Sequence, residues 1–418
     1  MGMTSANLAI GAICALATLG VLIRPFRWPE AVWAVLGAVG LVVFGLLPIA
    51  DAARAVGKGL DVYLFLIGMM LLSETARREG LFDWVAAIAV NRSDRSPRRL
   101  FLLVYGVGIL VTTLLSNDAA AVVLTPAVFA AARKAKAEPL PYLFICAFIA
   151  NAASFVLPIS NPANLVLYGD HTPPLGLWMA SFALPSLASI AATYAVLRWT
   201  QRNALTGTCA YDLEQPELSA GGWTVLVGIG LTAIVLLVVS ALNIPLGAPT
   251  CVMGGLASVT VLAIKRESPL PVVRGVSWPV LALVAGLFVL VEALERSGLT
   301  AALAAPLRAM AAVSVNAAAA VAGATLALVS NLMNNLPAGL VASSVIAQAH
   351  PPQKVVDALL IGVDLGPNLS ITGSLATILW LTAIRREGQE VGFLKFLKVG
   401  VLVMPPALLL AIGARLLL

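Results

Sequence analysis

Ser116-Asn-Asp-Ala-Ala-Ala-Val-Val-Leu-Thr-Pro126 and Ser330-Asn-Leu-Met-Asn-Asn-Leu-Pro337, about 215 residues apart, decide how this chain is read. Each forms the polar tip of an otherwise apolar helical hairpin. Polar groups placed in hydrocarbon must be satisfied by protein, water or a bound solute, so polar turns at that depth line cavities. Two of them in corresponding halves of one chain point to a transporter with its site near the membrane midplane.

The sequence around the tips sets the class. Of 418 residues, 60% are hydrophobic and 11% charged, and the mean hydropathy is +0.97. Apolar runs long enough to span a bilayer recur along the chain. The first, Asn7 to Ile23, has no basic segment before it and is followed by Arg24 and Arg27, so it reads as a span and not as a cleaved leader. Ten crossings are expected, near 6–23, 30–49, 60–76, 139–168, 175–197, 222–242, 248–264, 278–294, 354–384 and 397–417, with the two hairpins at 99–132 and 313–349. If the hairpins are re-entrant, 20 of the 26 Lys and Arg fall on one side, in the loops around 24–29, 77–99, 133–138, 198–221, 265–277 and 385–398. The positive-inside rule makes that side cytoplasmic and puts both termini outside, in a multi-pass protein of the inner membrane. The net charge of +6 therefore orients the chain in the lipid bilayer and gives no sign of nucleic-acid binding.

A repeat runs through the chain. Gly68, Glu74, Gly80 and Leu81 recur with the same spacing as Gly286, Glu292, Gly298 and Leu299, and a Ser-Asn tip follows each copy. Five crossings plus a hairpin reverse their sense in the membrane when repeated. The expected architecture is an all-α polytopic membrane protein of two inverted five-span repeats. The first is 1–205 (hairpin 99–132, broken span 139–168), the linker 206–221 carries Asp212, Glu214 and Glu217, and the second is 222–418 (hairpin 313–349, broken span 354–384). The breaks are read from Pro158 and Pro162 and from Gly366, Pro367 and Gly373, because proline removes a helix donor and glycine weakens helix.

Asp118 and Asp364 are the ionisable residues deepest in apolar sequence. Intramembrane carboxyls are costly and functional by default, so these two are the expected proton-coupling pair, although Asp also caps helices well. Ser116, Asn117, Asn151, Ser160, Asn161, Asn164, Ser330, Asn331, Asn334, Asn335, Asn368, Thr372 and Ser374 cluster at the tips and breaks. Their amides and hydroxyls suit a small hydroxylated solute or a cation, with helix-to-helix stitching as the competing role. Glu74 and Glu292 are secondary candidates, since Arg77, Arg78 and Arg296 beside them favour interfacial ion pairs. Cys14, Cys146, Cys209 and Cys251 are dispersed and read as packing residues. His171 and His350 read as surface loop residues, so neither a metal site nor a cofactor is expected. Trp28, Trp33, Trp84, Trp178, Trp223 and Trp278 read as an interfacial belt.

Ser330–Pro337, Ser116–Pro126, Ser160-Asn161 with Asn164, and Gly362-Val-Asp-Leu-Gly-Pro-Asn-Leu-Ser-Ile-Thr-Gly-Ser-Leu-Ala-Thr-Ile-Leu-Trp380 closely resemble the arsenical pump membrane protein family, the arsenite efflux permeases of the ion transporter superfamily. The resemblance spans nearly the whole chain. It implies extrusion of arsenite and antimonite as neutral hydroxides, driven by inward proton flow or by partnership with a cytoplasmic arsenite-stimulated ATPase. Asn151 stands where some members have Asp, which would leave the coupling to Asp118 and Asp364. Scattered cysteines argue against a three-thiolate arsenic site. A sodium-coupled carrier or sodium/proton antiporter of the same superfamily is the nearest alternative. A membrane-embedded enzyme is the remote one, with no catalytic constellation at depth.

Overall fold

In a chain this apolar, the backbone meets its own hydrogen-bonding needs most completely as helix, and every regular element among the described residues is helical. The computed structural model describes residues 5–169, 172–210 and 217–418. His171, Asp212 and Glu214 lie outside them.

The chain runs α1 (Ser5–Ile23), α2 (Glu30–Val43), α3 (Ile49–Lys58), α4 (Leu60–Arg78) and α5 (Leu81–Asn91). The first hairpin follows: α6 (Pro97–Leu115), then α7 (Asn117–Ala119), a π-type turn (Ala120–Leu124) and α8 (Thr125–Lys134). A broken span, α9 (Pro139–Ala152) and α10 (Pro162–Tyr168), leads to α11 (Leu175–Thr200). The same order returns as α12 (Ala220–Ala241), α13 (Gly247–Lys265), α14 (Leu270–Gly275), α15 (Pro279–Arg296) and α16 (Leu299–Val313). The second hairpin is α17 (Val315–Met333) and α18 (Asn335–Ala349), the second broken span α19 (Gln353–Leu365) and α20 (Leu375–Arg386), and α21 (Phe393–Leu417) is last.

Among the described residues, seven single helices are long and apolar enough to cross a membrane, or eight if α3 and α4, bent by 48° at Gly59, count as one span. The ten expected crossings divide differently. Helices α1, α11, α12, α13 and α21 are among the seven, but so are the hairpin arms α6 and α17. Helix α2 has only 14 residues, α15 carries Glu292, Glu295 and Arg296 in its last turns, and the two broken spans are split into short helices. Helices α5 and α16 occupy stretches between spans. Trp178 corrects the belt assignment: it is fully buried and donates from its indole to the Phe155 carbonyl (3.1 Å).

Local signals place the hairpin arms. Ser96 and Ser314 cap α6 and α17 by accepting from the amides of Arg99 and Ala317 (both 3.3 Å), satisfying donors that a helix start leaves free. Each arm then runs 19 residues. The arms end at Ser116 (φ 89°) and Asn334 (φ 74°), the only break in each hairpin. The second tip is therefore Asn334-Asn335, one turn beyond the expected Ser330-Asn331. Asn is among the few residues that tolerate positive φ, and the tips match as Ser116-Asn117 with Asn334-Asn335. Gly80 and Gly298, at φ 72° and 79°, make the equivalent turns into α5 and α16, where a Cβ would be strained.

Two groups of helices result. A frame is built where α4 packs on α13 and α15 on α2, with α1 and α12 outside them. A core is built where α17 packs on α19, α11 on α21, α6 on α9 and α10 on α18. Ion pairs such as Lys58 with Glu292 (2.7 Å) and Lys265 with Glu79 (2.9 Å) lie within the frame. The arm helices α5 and α16 join frame to core, with Gln348 of α18 donating to Thr300 of α16 (2.7 Å).

The core is held by close approach of backbones. Gly323 of α17 and Gly362 of α19 face each other so tightly that a Cβ on Gly362 would collide with the Gly323 carbonyl. Small residues at a helix crossing are how apolar helices in lipid gain packing energy. Gly362→Ala should lower the melting temperature of the purified protein by a few degrees, since overpacking costs about 1–3 kcal/mol. Gly413→Ala, where a Cβ meets nothing within 4 Å, should leave it unchanged; equal melting of both variants would show that the seam does not bear on stability.

Candidate functional site

Four helices of the core begin at one place. Asn117 opens α7, Pro162 opens α10, Asn335 opens α18 and Leu375 opens α20, and all four residues line a single small chamber. Leu66 and Val280 of the frame, with Asp118, Asn161, Leu336 and Ala376, complete its wall. A helix start presents unpaired N–H groups and the positive end of the helix dipole. Caps take up part of this: Asn161 Oδ1 accepts from Ala163 (3.0 Å), Asn334 Oδ1 from Leu336 (3.3 Å) and Ser374 Oγ from Thr377 (3.1 Å).

The structure sorts the expected site residues into two roles. Asn117, Asn161 and Asn335 line the chamber together with Asp118, and Ser116 lines the vestibule beside it. Asn117 Oδ1 is buried and without a hydrogen-bond partner. The others stitch the breaks. Asn151 Nδ2 donates to Asn368 Oδ1 (3.0 Å) and Ser374 donates to Asn151 Oδ1 (3.3 Å), so one broken span is tied to the other. Asn164 Nδ2 donates to the carbonyls of Ser154 (2.8 Å), Pro158 (3.2 Å) and Leu157 (3.3 Å). Ser160 donates to the Thr113 carbonyl (3.1 Å) and Ser330 to that of Ala327 (2.9 Å). Asn331 donates to Gly366 (2.9 Å) and accepts from Ser370 (2.7 Å), while Thr372 donates to the Asn331 carbonyl (3.2 Å).

The two deep carboxyls differ. Asp118 is half-buried, lines both the chamber and a vestibule, and makes no hydrogen bond or ion pair with another described residue. Asp364 is fully buried behind Asn161, whose Nδ2 donates to its Oδ1 (2.7 Å), and its Oδ2 has no partner. Ser154, next to that carboxyl, donates to the Asn151 carbonyl instead (2.7 Å). Asp364 thus meets the chamber through Asn161.

Glu74 and Glu292 stand apart, in two vestibules. One is lined by Glu74, Ser73, Ser277, Ser116 and Asp118, close in sequence to Arg77, Arg78 and Arg274. It shares Leu66, Asp118, Pro162 and Val280 with the chamber. The other is lined by Lys58, Asp61, Glu292, Glu295, Leu165, Val166, Tyr168 and Leu340, and shares no residue with the chamber. The chamber thus adjoins the Glu74 vestibule, and α10 lies between it and the other one. Glu74 pairs with Arg77 (2.6 Å), Glu292 with Lys58 and Arg296 (2.7 and 3.3 Å). The four cysteines are unpaired and none lines the chamber.

Sequence reasoning missed the apolar wall, Leu66, Val280, Leu336 and Leu375, since nothing marks one leucine among many. It also missed a buried group at Asp357, Tyr168 and Arg415, where Arg415 Nε donates to Asp357 Oδ2 (2.7 Å).

Comparisons with known proteins bear on this architecture. A family model described as citrate transporter matches residues 18–364. An arsenical pump membrane protein of Yersinia enterocolitica is 30% identical over 376 residues, covering 83% of this chain and 84% of the relative. One from Escherichia coli is 28% identical over 432 residues, covering 97% and 98%. Among solved structures, the YdaH transporter of Alcanivorax borkumensis aligns over 99% of this chain and 97% of its own, with TM-score 0.60 and 17% identity. MtrF of Neisseria gonorrhoeae aligns over 88% and 83%, with TM-score 0.55 and 14% identity. These two likenesses concern the fold alone. With a family model matching most of its length and a relative at 30% identity, the chain belongs to the citrate transporter family and to that of the arsenical pump membrane proteins.

Proposed function

We propose that this chain extrudes arsenite and antimonite across the inner membrane as neutral hydroxides, in exchange for protons, by alternating access around the chamber. The lining of the chamber carries this reading: Asn117, Asn161, Asn335 and four helix starts beside one carboxyl, with no Lys, Arg or Cys. Each helix start carries roughly +0.5 charge, so four of them offset the two carboxyls Asp118 and Asp364 and leave a site suited to an uncharged, oxygen-rich solute. A multiply charged anion would meet Asp118 with no basic side chain to balance it. A free cation would face four positive helix ends, which sets the sodium-coupled reading behind.

Direction follows from the basic face, read as cytoplasmic. The solute enters by the Glu74 vestibule, the two hairpins and broken spans move against the frame as halves of an inverted repeat, and release is through the Glu292 vestibule. Coupling requires a carboxyl whose proton affinity depends on occupancy of the chamber, a reciprocal linkage between two ligands. Asp118 touches the solute's space and Asp364 reaches it through Asn161.

Uptake into inverted vesicles under an imposed pH gradient tests this. Arsenite and antimonite should accumulate, while sodium and citrate should not compete. Sodium-dependent uptake of a carboxylate would replace the reading with the alternative one. A variant with all four cysteines replaced should keep its transport, and Asn117→Leu should raise the half-saturating arsenite concentration about tenfold, the size of one lost hydrogen bond.

Asp118→Asn and Asp364→Asn should abolish accumulation driven by pH while leaving downhill arsenite exchange measurable. Normal pH-driven accumulation in both single variants and in the double variant would remove these residues from the coupling.

A further inference from the structure

Half-helix α10 is the wall between the chamber and the far vestibule, with Asn161 and Pro162 on one side and Leu165, Val166 and Tyr168 on the other. A helix of seven residues has little stability of its own, so its position depends on what grips its ends. Both ends are gripped by carboxyls of α19. Asp364 accepts from Asn161 at the start of α10 (2.7 Å), and Asp357 accepts from the Tyr168 hydroxyl at its finish (2.6 Å). The two carboxyls are seven residues apart, as are Asn161 and Tyr168, so the bonds form two rungs two turns apart, about 10 Å along parallel faces.

The outer rung is fully satisfied. Asp357 is completely buried, Gln353 Nε2 donates to the same Oδ1 (2.7 Å), and Arg415 of α21 holds Oδ2 (2.7 Å). Removing one partner of such a buried pair leaves an uncompensated charge, which makes this rung stiff. The inner rung has no cation and leaves Asp364 Oδ2 open. A rigid outer rung beside an incomplete inner one lets the chamber end answer to a solute or a proton without the half-helix drifting.

We propose that Tyr168 is a positioning residue for the chamber: anchored by Asp357 and Arg415, it fixes α10 so that Asn161 presents its amide between Asp364 and the solute. The proposal rests on the chamber being the substrate site.

The test is Tyr168→Phe, which keeps the ring packed on Trp178 (5.5 Å between centroids) and deletes only the hydroxyl. Tyr105→Phe is the control, a buried tyrosine whose hydroxyl bonds the Ile190 carbonyl (2.7 Å). In inverted vesicles, Tyr168→Phe should raise the half-saturating arsenite concentration about tenfold at unchanged maximal rate per transporter. Combined with Asn161→Ala it should add nothing further, because both act through one side chain. Tyr168→Phe behaving as Tyr105→Phe does, or combining additively with Asn161→Ala, would overturn the proposal. Should the unsubstituted protein fail to take up arsenite, the substrate reading falls separately. Hydrogen exchange then decides the positioning claim: amides 163–168 should exchange at least about tenfold faster in Tyr168→Phe and unchanged in Tyr105→Phe, and equal exchange in the two variants would refute it.

Discussion

A helix that stops inside an apolar layer leaves N–H groups with no carbonyl and no water to meet them. Four helices of this protein start together, at Asn117, Pro162, Asn335 and Leu375, and at α10 and α18 the first amides are met by the Asn161 and Asn334 caps and by the Gly373 carbonyl, which accepts from the Asn335 amide (2.8 Å). The convergence is a constraint before it is a binding site. Asn161, Asn334 and Ser374 spend their own acceptors on capping, Asn151 and Asn368 tie the two breaks to each other, and Asn164 gathers three loop carbonyls. Among the groups left uncommitted, Asn117 Oδ1 and Asp118 belong to residues of the chamber wall, and Asp364 Oδ2 lies behind it.

That division explains what could be read in advance. Helical class was legible in the long apolar runs, and Pro158, Pro162, Gly366 and Pro367 mark places where the described helices end. The second tip was displaced by one turn because Ser330-Asn331 copies Ser116-Asn117 in letters, whereas the backbone break needs positive φ and falls at Asn334. The number of crossings was not legible: length and polarity cannot separate a hairpin arm such as α6 from a span such as α13. Within the site, residue type could name the amides but not say which would be consumed by carbonyls, since partners such as Gly366 and Ser154 are set by tertiary approach.

Charged residues near the ends of apolar runs proved the least legible. Glu74 and Glu292 are ion-paired beside the two vestibules, as their neighbours in sequence imply. Asp357 and Arg415 look the same on paper, yet both are buried and bonded to one another, and Asp357 also accepts from Tyr168 at the end of α10. Frame and core divide along comparable lines. Each is held by its own close packing and polar bonds, while α5 and α16 pack on both groups.

The central claim is that arsenic is held through its oxygens, by amides and helix starts, and not through sulfur. X-ray absorption at the arsenic edge, on purified protein loaded with arsenite, addresses it without relying on flux. The account predicts a first shell of oxygen alone, unchanged when Cys14, Cys146, Cys209 and Cys251 are all replaced, and weaker retention of arsenic in Asn117→Leu. Sulfur in the first shell, disappearing with any one of those cysteines, would contradict it.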